Sequence, residues 1–295
     1  GAWSAGDPAM IARLAGLLAA AVIGLAAAPS VAQTCGRDDP PCETPLGTYR
    51  VALPDGDGPF PAVIFLHGAG GTGRGALGMT GTVKAFTDRG YAVLAPDGLP
   101  WRDDREGGIW SFRNDIMHGP GRDEAAFFAE IVADASQTHA IDPDAVILAG
   151  FSAGAFMVSY LACDTPDAFS AYAPVSGGFW RPHPASCAGP VRLFQTHGWK
   201  DSTVPLEGRV LRNGQFVQGD IFEGLALFRA ANGCEQPNPS GTRTTGDFQR
   251  RYWTCAKDSA LEMALFPGGH AVPAGWADMM LDWYEALPVR ALPIR

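Results

Sequence analysis

Clustered positive charge is the first thing this sequence lacks. Lys and Arg number 22 against 31 Asp and Glu, a formal net charge of −9, and without a basic patch to neutralise phosphates a nucleic-acid partner is not expected. Metal-ligand spacing is missing as well: there is no C-x-x-C pair and no His beside a Cys, so no metal site is expected. No apolar run reaches the ~20 residues that a membrane-spanning helix needs. Repeats and low-complexity tracts are absent. A hydrophobic fraction of 46% over 295 residues excludes disordered and collagen-like classes and leaves one large globular domain or two small ones.

The N-terminal apolar run, Leu14 to Ala28, follows Met10-Ile-Ala-Arg13, stops at Pro29 and is trailed by the small residues Ser30-Val31-Ala32. A charged n-region, a short h-region and a small-residue cleavage site make a signal peptide. The mature chain is therefore expected to start near Gln33, to be secreted or periplasmic, and to have no stable membrane insertion after cleavage. Residues 1–9 read as an added tag or an alternative start. All six cysteines lie beyond the cleavage site, which suits an oxidising compartment. Fifteen pairings are open to them. Pairing of sequence neighbours is preferred, Cys35 with Cys42, Cys163 with Cys187 and Cys234 with Cys255, each loop contributing about 2–4 kcal/mol.

Chemistry concentrates at Ala145-Val-Ile-Leu-Ala-Gly-Phe-Ser-Ala-Gly-Ala-Phe-Met157, where an apolar run of strand character enters a Gly-Phe-Ser-Ala-Gly turn and leaves as a helix. That is the G-x-S-x-G pattern of a nucleophile elbow. Gly150 and Gly154 let strand and helix approach closely, and Ser152 is held out as the candidate nucleophile. The N–H of Ala153, at the helix N-terminus, supplies half of an oxyanion hole.

A second glycine loop follows the apolar run Ala62 to Leu66: His67-Gly-Ala-Gly-Gly-Thr-Gly73. Gly68-x-Gly70-x-x-Gly73 satisfies a dinucleotide fingerprint, with Asp97 where a ribose-binding acid would lie. The same loop also fits an H-G-x-x-G oxyanion loop, with the N–H of Ala69 as second donor and His67 as a structural anchor. The second reading is preferred, because an exported protein meets little NAD. Six acids follow Ser152 within about seventy residues, but Asp201 alone stands just past a strand, Val191 to His197, where a triad carboxylate belongs. His270, on the glycine loop after the strand Ala260 to Phe266, completes the order Ser, Asp, His as the expected base; its protonation should abolish activity. His197 reads as a strand-end structural residue. Trp101, Trp110 and Phe112, on a long connection from Pro96 to Gly121, either line an apolar acyl pocket or pin the loop; Phe179 and Trp180, at a strand's C-terminal edge, are pocket wall or plain packing. The remaining expectations are a first strand over Thr48 to Leu53, helices over Val83 to Arg89, Asp123 to His139, Asp220 to Ala231 and Trp276 to Leu287, and two closing strands. The sequence from Cys35 to Pro45 reads as a leader, and Asp123 as a helix N-terminal carboxylate.

Leu66-His-Gly-Ala-Gly-Gly-Thr-Gly73, Gly150-Phe-Ser-Ala-Gly-Ala155, His197-Gly-Trp-Lys-Asp201 with Val204-Pro205, and Gly268-Gly-His270 together resemble the exported polyhydroxybutyrate depolymerase and feruloyl esterase group of α/β-hydrolases, over about Gly47 to Leu287. The resemblance implies a mostly parallel central sheet with helices on both faces and a single catalytic domain over 33–295. It also implies a cofactor-free ester hydrolase acting on polyester oligomers or on hydroxycinnamoyl or acetyl groups, with a disulfide near Cys234 and Cys255. A serine peptidase of the same fold is the alternative.

Overall fold

Five consecutive apolar residues, Ala62 to Leu66, leave their strand no polar face, so it must be covered on both sides. The computed structural model, which describes residues 34–102, 105–113, 121–256 and 258–288, places that strand inside a ten-stranded sheet. The expected signal peptide lies outside the described residues. In chain order the strands are β1 (Cys42–Thr44), β2 (Gly47–Ala52), β3 (Phe60–Leu66), β4 (Ala92–Pro96), β5 (Leu99–Arg102), β6 (Arg105–Ile109), β7 (Ile141–Phe151), β8 (Ala171–Val175), β9 (Arg192–Gly198), β10 (Val210–Leu211), β11 (Phe216–Val217), β12 (Gly241–Thr245), β13 (Phe248–Trp253) and β14 (Ala260–Phe266). The helices are α1 (Gly73–Leu77), α2 (Thr80–Asp88), α3 (Glu124–Thr138), α4 (Ala153–Asp164), α5 (Ile221–Ala231) and α6 (Trp276–Glu285).

Across the large sheet the order is β1-β2-β4-β3-β7-β8-β9-β14-β13-β12. Strands β4, β3, β7, β8, β9 and β14 run parallel, and antiparallel strands close both edges. Alternation along β3 divides the core: Ala62, Ile64 and Leu66 join one apolar cluster with residues of α3, α4 and α5. Val63 and Phe65 join the other, with residues of α1, α2 and α6. Helix α4 is apolar all round and is buried from Ala153 to Cys163 except at Tyr160, as a helix inside a core must be. Asp123 and Asp220 cap α3 and α5, their side chains accepting the N–H groups of Ala126, and of Phe222 and Glu223, satisfying donors that a helix leaves open.

Disulfides join Cys35 to Cys42, Cys163 to Cys187 and Cys234 to Cys255. The sequence expectations need four corrections. The supposed leader contains β1, the short α1 precedes α2, and three strands rather than two close the sheet. The Pro96 to Gly121 connection contains the hairpin β5–β6, which is tied to the glycine loop after β3 by main-chain bonds, Gly70 N to Gly108 O at 2.9 Å and Gly108 N to Gly71 O at 2.8 Å.

Candidate active site

Strand β7 ends at Phe151 and α4 begins at Ala153, so the chain reverses within one residue. Ser152 takes that turn at φ 55° and ψ −118°, a left-handed φ that costs a non-glycine residue on the order of 1–3 kcal/mol. Its N–H donates to Val175 O at 3.0 Å, and its carbonyl accepts from Phe156 N at 3.0 Å. The flanking glycines make the turn possible. A Cβ at Gly150 would lie 2.7 Å from the carbonyl carbon of Gly154, and one at Gly154 would run into the Leu66 carbonyl.

Three side chains far apart in sequence converge at this bend. Ser152 Oγ lies 2.9 Å from His270 Nε2, and His270 Nδ1 lies 2.8 Å from Asp201 Oδ2. The other Asp201 oxygen, Oδ1, accepts the N–H groups of Thr203 at 2.9 Å and Val204 at 2.8 Å. This fully buried carboxylate therefore has main-chain donors on one oxygen and the imidazole on the other. The Asp201 and His270 loops are zipped together by Trp199 N to Phe266 O at 3.1 Å and Lys200 N to Gly268 O at 3.0 Å. The Phe151 ring, 4.7 Å from the His270 ring centroid, packs against that imidazole.

His197 lies beside this group rather than in it. Its Nε2 donates to Val204 O at 2.8 Å, fixing the turn that presents N–H groups to Asp201. His67 anchors the other loop: Nδ1 donates to Gly68 O at 2.8 Å and Nε2 accepts from Gly98 N at 3.0 Å. Burial holds both imidazoles below their ordinary pKa of 6.5. In the unfolded chain they take up protons as pH falls through that value, while the folded state resists, so stability is lost on acidification. Each contributes at most about 1.4 kcal/mol per pH unit. We expect His197→Gln to flatten the fall in unfolding free energy between pH 7.5 and 5.5, measured by urea titration; an unchanged slope would show that His197 is not held neutral.

Ala69, on the His67 loop, and Ala153, at the start of α4, both line the cavity at Ser152. Among the described residues no main-chain carbonyl takes the Ala69 N–H. The dinucleotide reading of this loop loses its acid: Asp97 accepts from Gly73 N at 2.7 Å and from the Thr48 hydroxyl at 2.9 Å, so its carboxylate is spent on the protein's own groups.

A cavity of about 300 Å³ opens at Ser152, walled by Ile109, Phe112, Phe156, Trp180 and Phe216 and reaching Ala69 and Ala153. Trp180 stacks on Phe156 at 5.2 Å. Two expected wall residues are corrected. Trp110 is 0% exposed, with its indole N–H donated to His67 O at 2.8 Å, and belongs to the core beneath the loop. Phe179 is 1% exposed and packs on Phe228 and Tyr160, facing away from the cavity. The Trp101 side chain lies outside the described residues. Sequence reasoning missed Phe156, although its place one helical turn after Ser152 signals it. It also missed the β10–β11 hairpin, which brings Arg209, Arg212, Phe216 and Gln218 to the cavity. Against the sequence expectation, one histidine does meet a cysteine: His139 Nε2 lies 3.5 Å from Cys42 Sγ. That sulfur is bonded to Cys35 and offers no thiolate.

Comparisons with known proteins agree with this architecture. Residues 54–215 match the family model of phospholipases and carboxylesterases. The chain is 32% identical over 128 residues to poly(3-hydroxyalkanoate) depolymerase C of Paucimonas lemoignei, covering 43% of this chain and 29% of that protein. It is 28% identical over 163 residues to a probable feruloyl esterase C of Aspergillus clavatus, covering 52% of this chain and 53% of that protein. The chain thus spans less than a third of the first relative's length and about half of the second's. In fold it is similar to an acetyl xylan esterase from Aspergillus awamori, with a TM-score of 0.57 at 18% identity over 81% of this chain and 93% of that one. With its parallel sheet, two helical layers and serine-bearing turn, the chain belongs to the phospholipase/carboxylesterase family of α/β-hydrolases.

Proposed function

We propose that the protein is an exported serine carboxylic-ester hydrolase with Ser152 as nucleophile, His270 as general base and acid, and Asp201 as the group that orients and stabilises the imidazole. The observation that carries this reading is the placing of His270 between Ser152 Oγ at 2.9 Å and Asp201 Oδ2 at 2.8 Å. Proton transfer to Nε2 accompanies attack of Oγ on the ester carbonyl, and the N–H groups of Ala69 and Ala153 hold the resulting oxyanion. Collapse expels the alcohol, which takes its proton from His270 and leaves an acyl-serine. Water, deprotonated by the same imidazole, then releases the acid and restores the serine. This scheme requires neither metal nor organic cofactor.

Polyester oligomers and hydroxycinnamoyl or acetyl esters are the substrate classes we assign, because two relatives bear depolymerase and feruloyl esterase names. A cavity of about 300 Å³ with an aromatic wall sits at the small end of ligand sites and suits a short acyl chain or a single ring. Three disulfides support export to an oxidising compartment, and no helix among the described residues is long and apolar enough to cross a membrane.

One panel tests the reading: soluble aryl esters, methyl ferulate, hydroxybutyrate oligomers, acetylated xylan and a chromogenic peptide, together with a phosphonate probe. Ester turnover with probe attachment at Ser152 is the expected result. Labelling with peptide turnover alone would transfer the site to peptide hydrolysis, and no labelling would end the assignment of Ser152 as nucleophile.

A further inference from the structure

The cavity that opens at Ser152 has two arginines among its lining residues, Arg209 and Arg212, and no Asp or Glu among its described lining residues. Elsewhere in this chain, whose net charge is −9, six arginines are paired with carboxylates. Arg74 meets Asp38, Arg89 meets Asp282 and Glu285, Arg122 meets Glu124, Arg181 meets Glu223, and Arg243 and Arg250 share Glu262. Among the described residues Arg209 and Arg212 form no such pair.

Both sit on the excursion around the β10–β11 hairpin, fixed at its base by Gln218 N donating to Arg209 O at 2.9 Å. The Arg212 guanidinium stands 5.4 Å over the Phe216 ring, a cation–π contact that holds the head group at the wall while leaving its N–H donors open. Two exposed arginines at an apolar recess favour a negatively charged guest there, and a guanidinium fork matches a carboxylate bidentately.

We propose that Arg209 and Arg212 select esters that also carry a free carboxylate, such as half-esters of dicarboxylic acids or carboxylate-terminated hydroxyacid oligomers. The assignment rests on the ester-hydrolase reading above and names the substrate class of that site. The alkyl or aryl segment fills the aromatic recess, the scissile carbonyl meets Ser152, and the carboxylate reaches the arginine rim. Hydrolysis then removes units from the charged end of an oligomer.

The test uses matched pairs on the whole enzyme. Monomethyl adipate is compared with dimethyl adipate, and a 3-hydroxybutyrate dimer with its methyl ester. These pairs distinguish a carboxylate on the acyl side of the scissile bond from one on the alcohol side. For at least one pair, kcat/KM of the charged member should exceed that of the neutral member by about tenfold or more, as charge-assisted hydrogen bonds allow. The excess should reside mainly in KM and shrink as salt is raised. The double variant Arg209→Gln, Arg212→Gln should lose it. Equal handling of both members by the wild-type enzyme, preference for the neutral ones, or a ratio unchanged in the double variant would overturn the proposal while leaving the ester-hydrolase reading intact. Hydrolysis of no ester would overturn both.

Discussion

Ser152→Ala is expected to reduce kcat for any ester substrate by about 10⁴- to 10⁶-fold, the range lost when a triad nucleophile is removed. The substitution deletes one oxygen, 2.9 Å from His270 Nε2, and leaves the main chain as it was, because alanine meets the same left-handed φ as serine. Neither the bond from Ser152 N to Val175 O nor the start of α4 depends on the hydroxyl. The thermal midpoint and circular dichroism should therefore match the wild type while turnover disappears into the residue supplied by the oxyanion donors and the cavity. Single-turnover kinetics with an aryl ester should show no acyl-enzyme burst. Turnover within tenfold of the wild type would mean that another group attacks the carbonyl.

Asp201→Asn should cost about 10⁴-fold in kcat, by a different route. Asp201 Oδ1 accepts two main-chain N–H groups and Oδ2 accepts His270 Nδ1–H. An asparagine has one oxygen and one amino group to place there. The two N–H donors of Thr203 and Val204 claim the oxygen, so the amino group faces Nδ1. Two donors cannot share that contact, and the ring proton moves to Nε2. His270 then presents a donor to Ser152 and cannot accept its proton. The expected signature is a loss concentrated in kcat, with KM little changed, partly recovered at alkaline pH where serine ionises without a base. A loss below about tenfold would show that the tautomer is not set by this carboxylate.

The serine turn was legible because its requirements are local. A strand and a helix that meet within one residue need small side chains at positions 150 and 154, and Gly occupies both. Asp201 was separable from five other acids by its place past the end of a strand, which Val191, Leu193 and Phe194 announce. The cavity was less legible, for tertiary reasons. Phe179 and Trp180 are neighbours in sequence, yet Phe179 packs on Tyr160 and Phe228 while Trp180 lines the cavity. Trp180 pairs with Gln218 across an antiparallel bridge, a partner supplied by a distant excursion. Trp110 sits on a polar, glycine-rich connection that reads as a surface loop, yet its indole completes the hydrogen bonding of His67. The β5–β6 hairpin escaped notice because Pro100 and the pair Gly107-Gly108 interrupt any strand alternation. It pairs with the glycine loop through the bridge between Gly71 and Gly108, a contact that no local pattern announces.

That pairing joins the cavity wall to the loop that carries Ala69. Pro100 and Ile109 of the hairpin form part of the cavity wall, and Gly108 of the same hairpin grips Gly70 and Gly71, next in line to the Ala69 donor. If Ala69 stabilises the oxyanion as proposed, a guest too broad for the recess that levers the wall outward would drag that amide with it. On the proposed mechanism, size discrimination would then be written into the speed of acyl transfer rather than into the tightness of capture.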